Sequence, residues 1–312
     1  MSYVYSIVTI IAIFSVLTLA LNLQFGQAGI INFGLVAYFA VGAYAYAVLT
    51  QPPPSEIDHY AVGLELSPWI AAPLAVAASV AVAFVLGLPA LRLRPEYLAL
   101  ATFAFAQVVE SLLINVRSLA NGNVGLSGLE PPGAASIPFE SYDAWVMVAA
   151  VVVLLLVYAF VARLTSAPFG ASLRATRDDP LAAAAVAKSV PGFRMRSFLV
   201  GCALAGLAGV AYASYTTLAV PELFTANVTF TAFIALVIGG LGSNLGAVVG
   251  AAIFFGLEEL LNLLPLSGDS AQLVASVQII PFGLALILVL RFAPQGIVGS
   301  LRRPASRLGG NA

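Results

Sequence analysis

An all-α, polytopic integral membrane protein is the fold class this sequence predicts, and three observations carry that expectation. The 312 residues are 61% hydrophobic and only 9% charged, against about 25% charged in a soluble domain. Apolar runs repeatedly exceed the roughly 20 residues a helix needs to cross the hydrocarbon. Those runs lack the two-residue alternation of a membrane barrel strand, so the spans are helices. The sequence predicts about 8–9 of them, some interrupted by glycine, in a single transmembrane domain over residues 1–312.

The first span falls at 4–24. Val4 to Leu23 has no Lys or Arg before it and no small-residue cleavage site, so it reads as a retained span and not a removed signal peptide. The second falls at 32–50. Between them runs LNLQFGQAGIINFG, with Asn22, Gln24, Gln27 and Asn32 among apolar residues and Gly26, Gly29 and Gly34 interspersed. It is either a turn between spans or a break within the membrane, and the side of the N-terminus depends on which. Spans at 67–91 and 96–117 flank Arg92 and Arg94. On the fourth span, Thr102, Gln107 and Glu110 form the best polar patch, and Glu110 is the one acid placed to lie deep. Its two readings are a pairing with Arg117 or another helix, and a place along a solute path.

Further spans are predicted at 143–163, 196–218, 229–241, 245–264 and 272–291, followed by a tail at 292–312. The stretch ALVIGGLGSNLGAVVGAAIFFG repeats the early glycine-and-amide character, with Gly239, Gly240, Ser243 and Asn244. Backbone freed at membrane depth survives only inside protein or along a cavity, and paired glycine-interrupted segments are a pointer to a transporter's path. The competing reading is that these glycines only allow close helix packing, as Gly201, Ala205 and Gly209 do.

Positive charge sets the orientation. Arg92 and Arg94, then Arg163, Arg174, Arg177, Lys188, Arg194 and Arg196, then Arg291, Arg302, Arg303 and Arg307 mark three segments as cytoplasmic, the C-terminal tail among them. The opposite face carries Glu56, Asp58, Glu65, Glu130, Glu140, Asp143 and Glu222. Nine spans with a cytoplasmic tail put the N-terminus outside.

The cytoplasmic segment at 166–195 predicts structure of its own. Ser166 and Pro168 signal a short helix through Leu173 and Ala175. Asp179-Pro180 starts another, since the carboxylate accepts free N–H groups and proline fits the first turn. Alanine-rich Leu181 to Ala187 continues it, Lys188 faces the negative end of its dipole, and Pro191-Gly192 is expected to stop it. A helix pair joined at Arg177-Asp178 and built of small side chains suits docking to another protein; an ordinary connecting loop is the plainer alternative.

Enzymatic chemistry finds no constellation here. His59 is the only histidine and sits in a Pro-rich outer loop; Cys202 is the only cysteine and lies in an apolar span, so no intrachain disulfide is possible. No metal-ligand spacing occurs, and no GxxxxGK[ST] phosphate loop, so the chain is expected to have no ATPase site, metal or cofactor of its own. The net charge of −1 and the absence of a dense basic cluster point away from nucleic acid. The partners expected are the lipid bilayer and a small solute.

The segments LNLQFGQAGIINFG, RLRPEYLALATFAFAQVVESLL, SAPFGASLRATRDDPLAAAAVAKSVPGFRMRSFLVGCALAGLAGVAYA and the closing APQGIVG together resemble the M-type permease subunits of branched-chain amino acid ABC importers, from about Leu19 to Gly299. The resemblance implies a cytoplasmic coupling element of Phe169, Gly170, Arg174, Arg177, Asp178, Asp179 and Pro180. It implies two ATPase subunits that bind ATP and Mg, a second related permease subunit and an extracytoplasmic solute-binding protein, in a cell inner membrane. Pro95-Glu96, the loop NGNVGLSGL and Lys188-Ser189-Val190 depart from the family's usual residues. Permeases for urea and short amides share the framework, so the solute stays open between the two. The expectation from another class is a secondary carrier or channel working without ATP, with Glu110 carrying protons.

Overall fold

The computed structural model describes residues 2–54, 60, 62–129, 131–133 and 139–262. The predicted span 272–291, the tail 292–312, the APQGIVG motif, His59, Glu56, Asp58 and Glu130 lie outside the described residues. Helices begin where proline stands in a first turn, because the missing N–H has no intrahelical partner there. This device starts α3 (Pro68–Ala90), α4 (Pro95–Asn115), α7 (Pro168–Asp178), α8 (Pro180–Ala185) and α9 (Val190–Thr216). The remaining elements are α1 (Ser2–Leu21), α2 (Leu35–Thr50), α5 (Arg117–Ala120), α6 (Phe139–Ser166), α10 (Ala226–Gly239) and α11 (Asn244–Asn262). The one ladder among the described residues joins β1 (Leu126–Ser127) to β2 (Leu218–Ala219), antiparallel.

Among the described residues, five helices are long and apolar enough to cross a membrane: Tyr3–Gln27, Pro68–Ala90, Pro95–Asn115, Ser141–Ser166 and Val190–Thr216. The stretches predicted as separate spans at 229–241 and 245–264 are α10 and α11, a pair bent by 118°. The predicted span 32–50 is α2, whose 16 residues reach about 24 Å at 1.5 Å per residue, short of the roughly 30 Å hydrocarbon core. It does not have to meet lipid. α2 packs chiefly against α3 and α9, and Tyr38, Phe39 and Tyr46 on it are fully buried. Phe14 stacks on Phe255 with centroids 4.2 Å apart, and Phe39 meets Phe224 at 5.4 Å, tying α1, α11 and α2 into the core.

Two ends of the bundle can be told apart from contacts. At one, Gly29, Ile30, Leu91, Leu93, Pro95, Leu98 and Arg194 surround one small cavity, and α7 lies against the α1–α2 connection. At the other, Gln51 Nε2 donates to Ser127 O at 2.7 Å beside the β1–β2 ladder. The chain therefore alternates between ends through α1, α2, α3, α4, α6, α9, α10 and α11. Residues 24–32 are a reversal at the α7 end.

Two local expectations are corrected. Ser166 ends α6 and its hydroxyl donates back to Arg163 O, so the residue before α7 is Ala167. Pro191 and Gly192 do not stop α8; they lie in the first turn of α9. α8 ends earlier, where Ala187 takes a left-handed conformation (φ 58°) and Lys188 N donates to Ala183 O at 3.1 Å, closing the helix with a Schellman bond. Proline reads the same way at a stop and at a start, and here the turn at Ala187 decides.

Candidate functional site

α7 and α8 meet at Asp179. Its Oδ1 accepts from Leu181 N at 2.9 Å and from Ala182 N at 3.0 Å, satisfying two of the donors a helix start leaves free. Pro180 is exposed, and beyond it Leu181 and Val186 are 84% and 68% exposed, the most prominent apolar side chains of this segment. Behind them the pair is held by the bundle: Gly170, Leu173, Thr176 and Ala183 are buried, and Phe169 packs against Phe193 at 5.7 Å.

The two arginines of α7 turn back into their own chain. Arg174 Nη1 donates to Gln27 Oε1 and to Thr165 O, both at 3.1 Å. Arg177 Nη1 donates to Gly26 O, while its Nε is held at 2.9 Å by Asp178 Oδ1. Gly26 lies in the π-helix Asn22–Gln27 that closes α1, so a cation sits on the free carbonyls at a negative helix end. Gly29 has φ 68°, and a Cβ there would lie 2.7 Å from Arg177 Cγ; only glycine both makes this turn and admits the arginine.

The amides of the first break form one network. Asn22 Nδ2 donates to Asn244 Oδ1 at 2.9 Å, Asn22 Oδ1 accepts from Gly242 N at 2.9 Å, and Gln27 Nε2 donates to Gly242 O at 2.6 Å. Asn244 Nδ2 donates to Thr165 Oγ1 at 2.8 Å. Deeper in, Gln24 Nε2 donates to Phe198 O at 2.9 Å and Asn32 Nδ2 to Gln24 Oε1 at 3.0 Å. Asn22, Gln24 and Asn32 are fully buried. The α10–α11 reversal supplies the other half: Gly239 is buried, Gly240 follows α10, and Ser243 Oγ accepts from Gly246 N at 3.1 Å. The residues expected to couple and those expected to line a path at Asn22–Asn32 and Gly239–Asn244 thus meet in one joint.

The α4 residues part company. Thr102 is buried and its Oγ1 accepts from Phe33 N at 3.1 Å; it also borders a cavity of about 250 Å³ between α3 and α4. Gln107 is exposed, and its Nε2 donates to the half-buried Glu110 Oε2 at 3.3 Å. Gln107, Val108, Ser111, Leu112 and Asn115 line a recess on the outward face of α4. Arg117 starts α5; no bond to Glu110 joins them among the described residues.

Sequence reasoning missed Thr165, which binds the network and which nothing local marks; Gly242 lies in the glycine-interrupted stretch, but its backbone bonds to Asn22 and Gln27 are non-local. Sequence reasoning also left aside a recess of about 240 Å³ at the opposite end, where Tyr212, Asn227 and Thr231 adjoin Glu258 and Glu259; the residues lie on three helices and only folding collects them. Among the described residues no group of His, Cys, Asp and Glu could hold a metal ion.

Comparison with known proteins adds five findings. The family model described as branched-chain amino acid transport system, permease component, matches residues 3–290. The high-affinity branched-chain amino acid transport system permease protein LivM of Salmonella typhimurium is 27% identical over 97% of this chain and 71% of its own length. The probable branched-chain amino acid transport permease protein LivM of Methanocaldococcus jannaschii is 27% identical over 92% of this chain and 90% of its own. LivH of Escherichia coli is 34% identical over 131 residues, 42% of this chain and 39% of its own. No solved structure matches.

Proposed function

Because the chain belongs to the branched-chain amino acid transport permease family, we propose that it is the transmembrane subunit of an ABC importer carrying branched-chain or related hydrophobic amino acids into the cytoplasm. The observation that supports this best is the α7–α8 pair. It presents exposed Leu181 and Val186 outward while its arginines grip the bundle, which is what a part receiving force from another protein requires. The partners in this reading are two cytoplasmic ATPase subunits, which hold ATP and Mg, a second related permease subunit, and an extracytoplasmic solute-binding protein. The names of the LivM and LivH relatives, both transport-system permeases, favour a permease pair.

In this arrangement the α7–α8 end is cytoplasmic, the N-terminus is outside, and the C-terminal tail is cytoplasmic in the cell inner membrane. The coupling element covers residues 166–195 within one transmembrane domain. The path runs along the outward face of α4, because among the described residues Gln107 and Glu110 answer only each other there, and polar side chains at membrane depth face protein or water rather than lipid. A second permease subunit against α4 would enclose that water. ATP binding closes the ATPases, α7 and α8 move, and access to the path changes side.

The test is reconstitution of the complete assembly in liposomes. Uptake of leucine, isoleucine or valine that needs ATP on the α7–α8 side and the binding protein on the other is the expected result. Uptake of urea or short amides alone would reassign the solute. Uptake by this chain alone under a proton gradient would replace the importer with a secondary carrier.

A further inference from the structure

The joint at the α7 end tells which elements the coupling helix drives. We infer that α7, the α1–α2 reversal and the α10–α11 reversal move as one body, and that this body reaches the path helix through Phe33 and Thr102. The inference rests on reading α7 and α8 as the coupling element.

Three observations carry it. First, α7 meets α9 largely through apolar packing such as Phe169 on Phe193, which lets surfaces slide, whereas its directional bonds go elsewhere. Arg177 holds Gly26 O and Arg174 holds Gln27 Oε1. Second, the two reversals are clamped to each other: Asn22 bonds both Asn244 and Gly242, and Gln27 bonds Gly242 O. A Cβ on Gly26 would lie 2.7 Å from Gly242 N, so the two backbones touch with no room to shear. Third, the far side of the α1–α2 reversal leads to α4. Phe33 N donates to Thr102 Oγ1, and Asn32 Oδ1 fixes the next residue by accepting from Gly34 N at 3.0 Å. Thr102 is less than two turns from Gln107, where the outward polar face begins. Arg174, Arg177, Asn22 and Thr102 are therefore positioning residues that act through α4 and do not touch the solute.

A route of this kind needs coupling evidence beyond adjacency. In the reconstituted assembly, uptake per ATP hydrolysed is measured for Arg177→Ala, Thr102→Val and the double variant, with retention of the ATPase subunits measured by co-purification. Each single change is expected to lower the ratio about tenfold with the ATPases still bound. The double should be no worse than the worse single, since both interrupt one route. A hundredfold loss in the double, an unchanged ratio in either single, or loss of the ATPases from Arg177→Ala would overturn the inference.

Should the arginine variant fail to fold into the membrane at all, Asn22→Cys with Asn244→Cys decides independently. Oxidised and reduced forms of that protein should take up solute at equal rates if the reversals never part. Uptake blocked by oxidation and restored by reductant would show that they separate in each cycle. Absence of ATP-driven uptake in the unmodified assembly would instead strike the importer reading itself.

Discussion

Polar side chains at the α7 end and on the outward face of α4 interrupt this apolar chain in different ways. At the α7 end, Asn22, Gln24, Gln27, Asn32 and Asn244 are answered by their own chain, through bonds of 2.6–3.0 Å. On α4, Gln107 and Glu110 share a single bond at 3.3 Å and face outward with Ser111 and Asn115. A buried polar group with its partners present holds the fold together, and one without them costs about 1–3 kcal/mol. A polar group turned outward from a membrane helix contributes nothing comparable to the fold and must find its partners in another chain or in water. The contrast separates residues that keep this subunit in one shape from residues that await something outside it.

Stability of the isolated chain is the first way to break that separation. Gly26→Leu should have the largest effect. Its side chain would collide with Asn22 Oδ1 and come against Gly242 N, and overpacking of a tight site costs about 1–3 kcal/mol or more. The yield of folded protein on size-exclusion chromatography should drop by more than ~10-fold. A normal yield would show that the two reversals are not packed as described.

Gln24→Leu comes next. It keeps the volume but leaves Phe198 O and Asn32 Nδ2 without the partners they have now, at about 1–3 kcal/mol for a buried unpaired group. The melting temperature in detergent should fall by several degrees. An unchanged value would mean that these amides are solvated along an open path, and the comparison would lose its first half.

Asp179→Ala should act only locally. Losing the two N–H partners at the start of α8 costs about 1 kcal/mol, confined to a six-residue exposed helix. Global melting should not move, while retention of the ATPase subunits falls several-fold in a pull-down. Full retention would count against α8 as the docking element.

What could be read from the sequence was local. The length of apolar runs announced membrane helices, Pro168 and Pro180 marked the starts of α7 and α8, and Asp179 announced its own cap. What could not be read was non-local. Arg174 and Arg177 find partners 147 and 151 residues away, so their charge pointed to a cytoplasmic face but not to Gln27 and Gly26. Asn22 and Asn244 were noticed as similar breaks, yet their direct bond across 222 residues depends on how α1 and α11 pack. The length of α2 is a related case: at 16 residues it is shorter than a lipid-facing span and is packed among other helices, a fact held by its neighbours and not by its own residues.

The smallest effect on stability, and the sharpest test of the comparison, belongs to α4. In Gln107→Leu with Glu110→Leu, only the bond between the two side chains is lost, and Val108 and Leu112 beside them are already exposed. Exposed substitutions of this kind usually change stability by less than ~0.5 kcal/mol, so melting of the isolated chain should not move. ATP-driven uptake by the assembly should nevertheless fall by at least ~10-fold, because an apolar face no longer offers the solute's charged groups or their waters a partner. If melting falls instead, the pair holds the fold as the α7-end amides do. If neither changes, the outward face of α4 meets only lipid and the path lies elsewhere in the bundle.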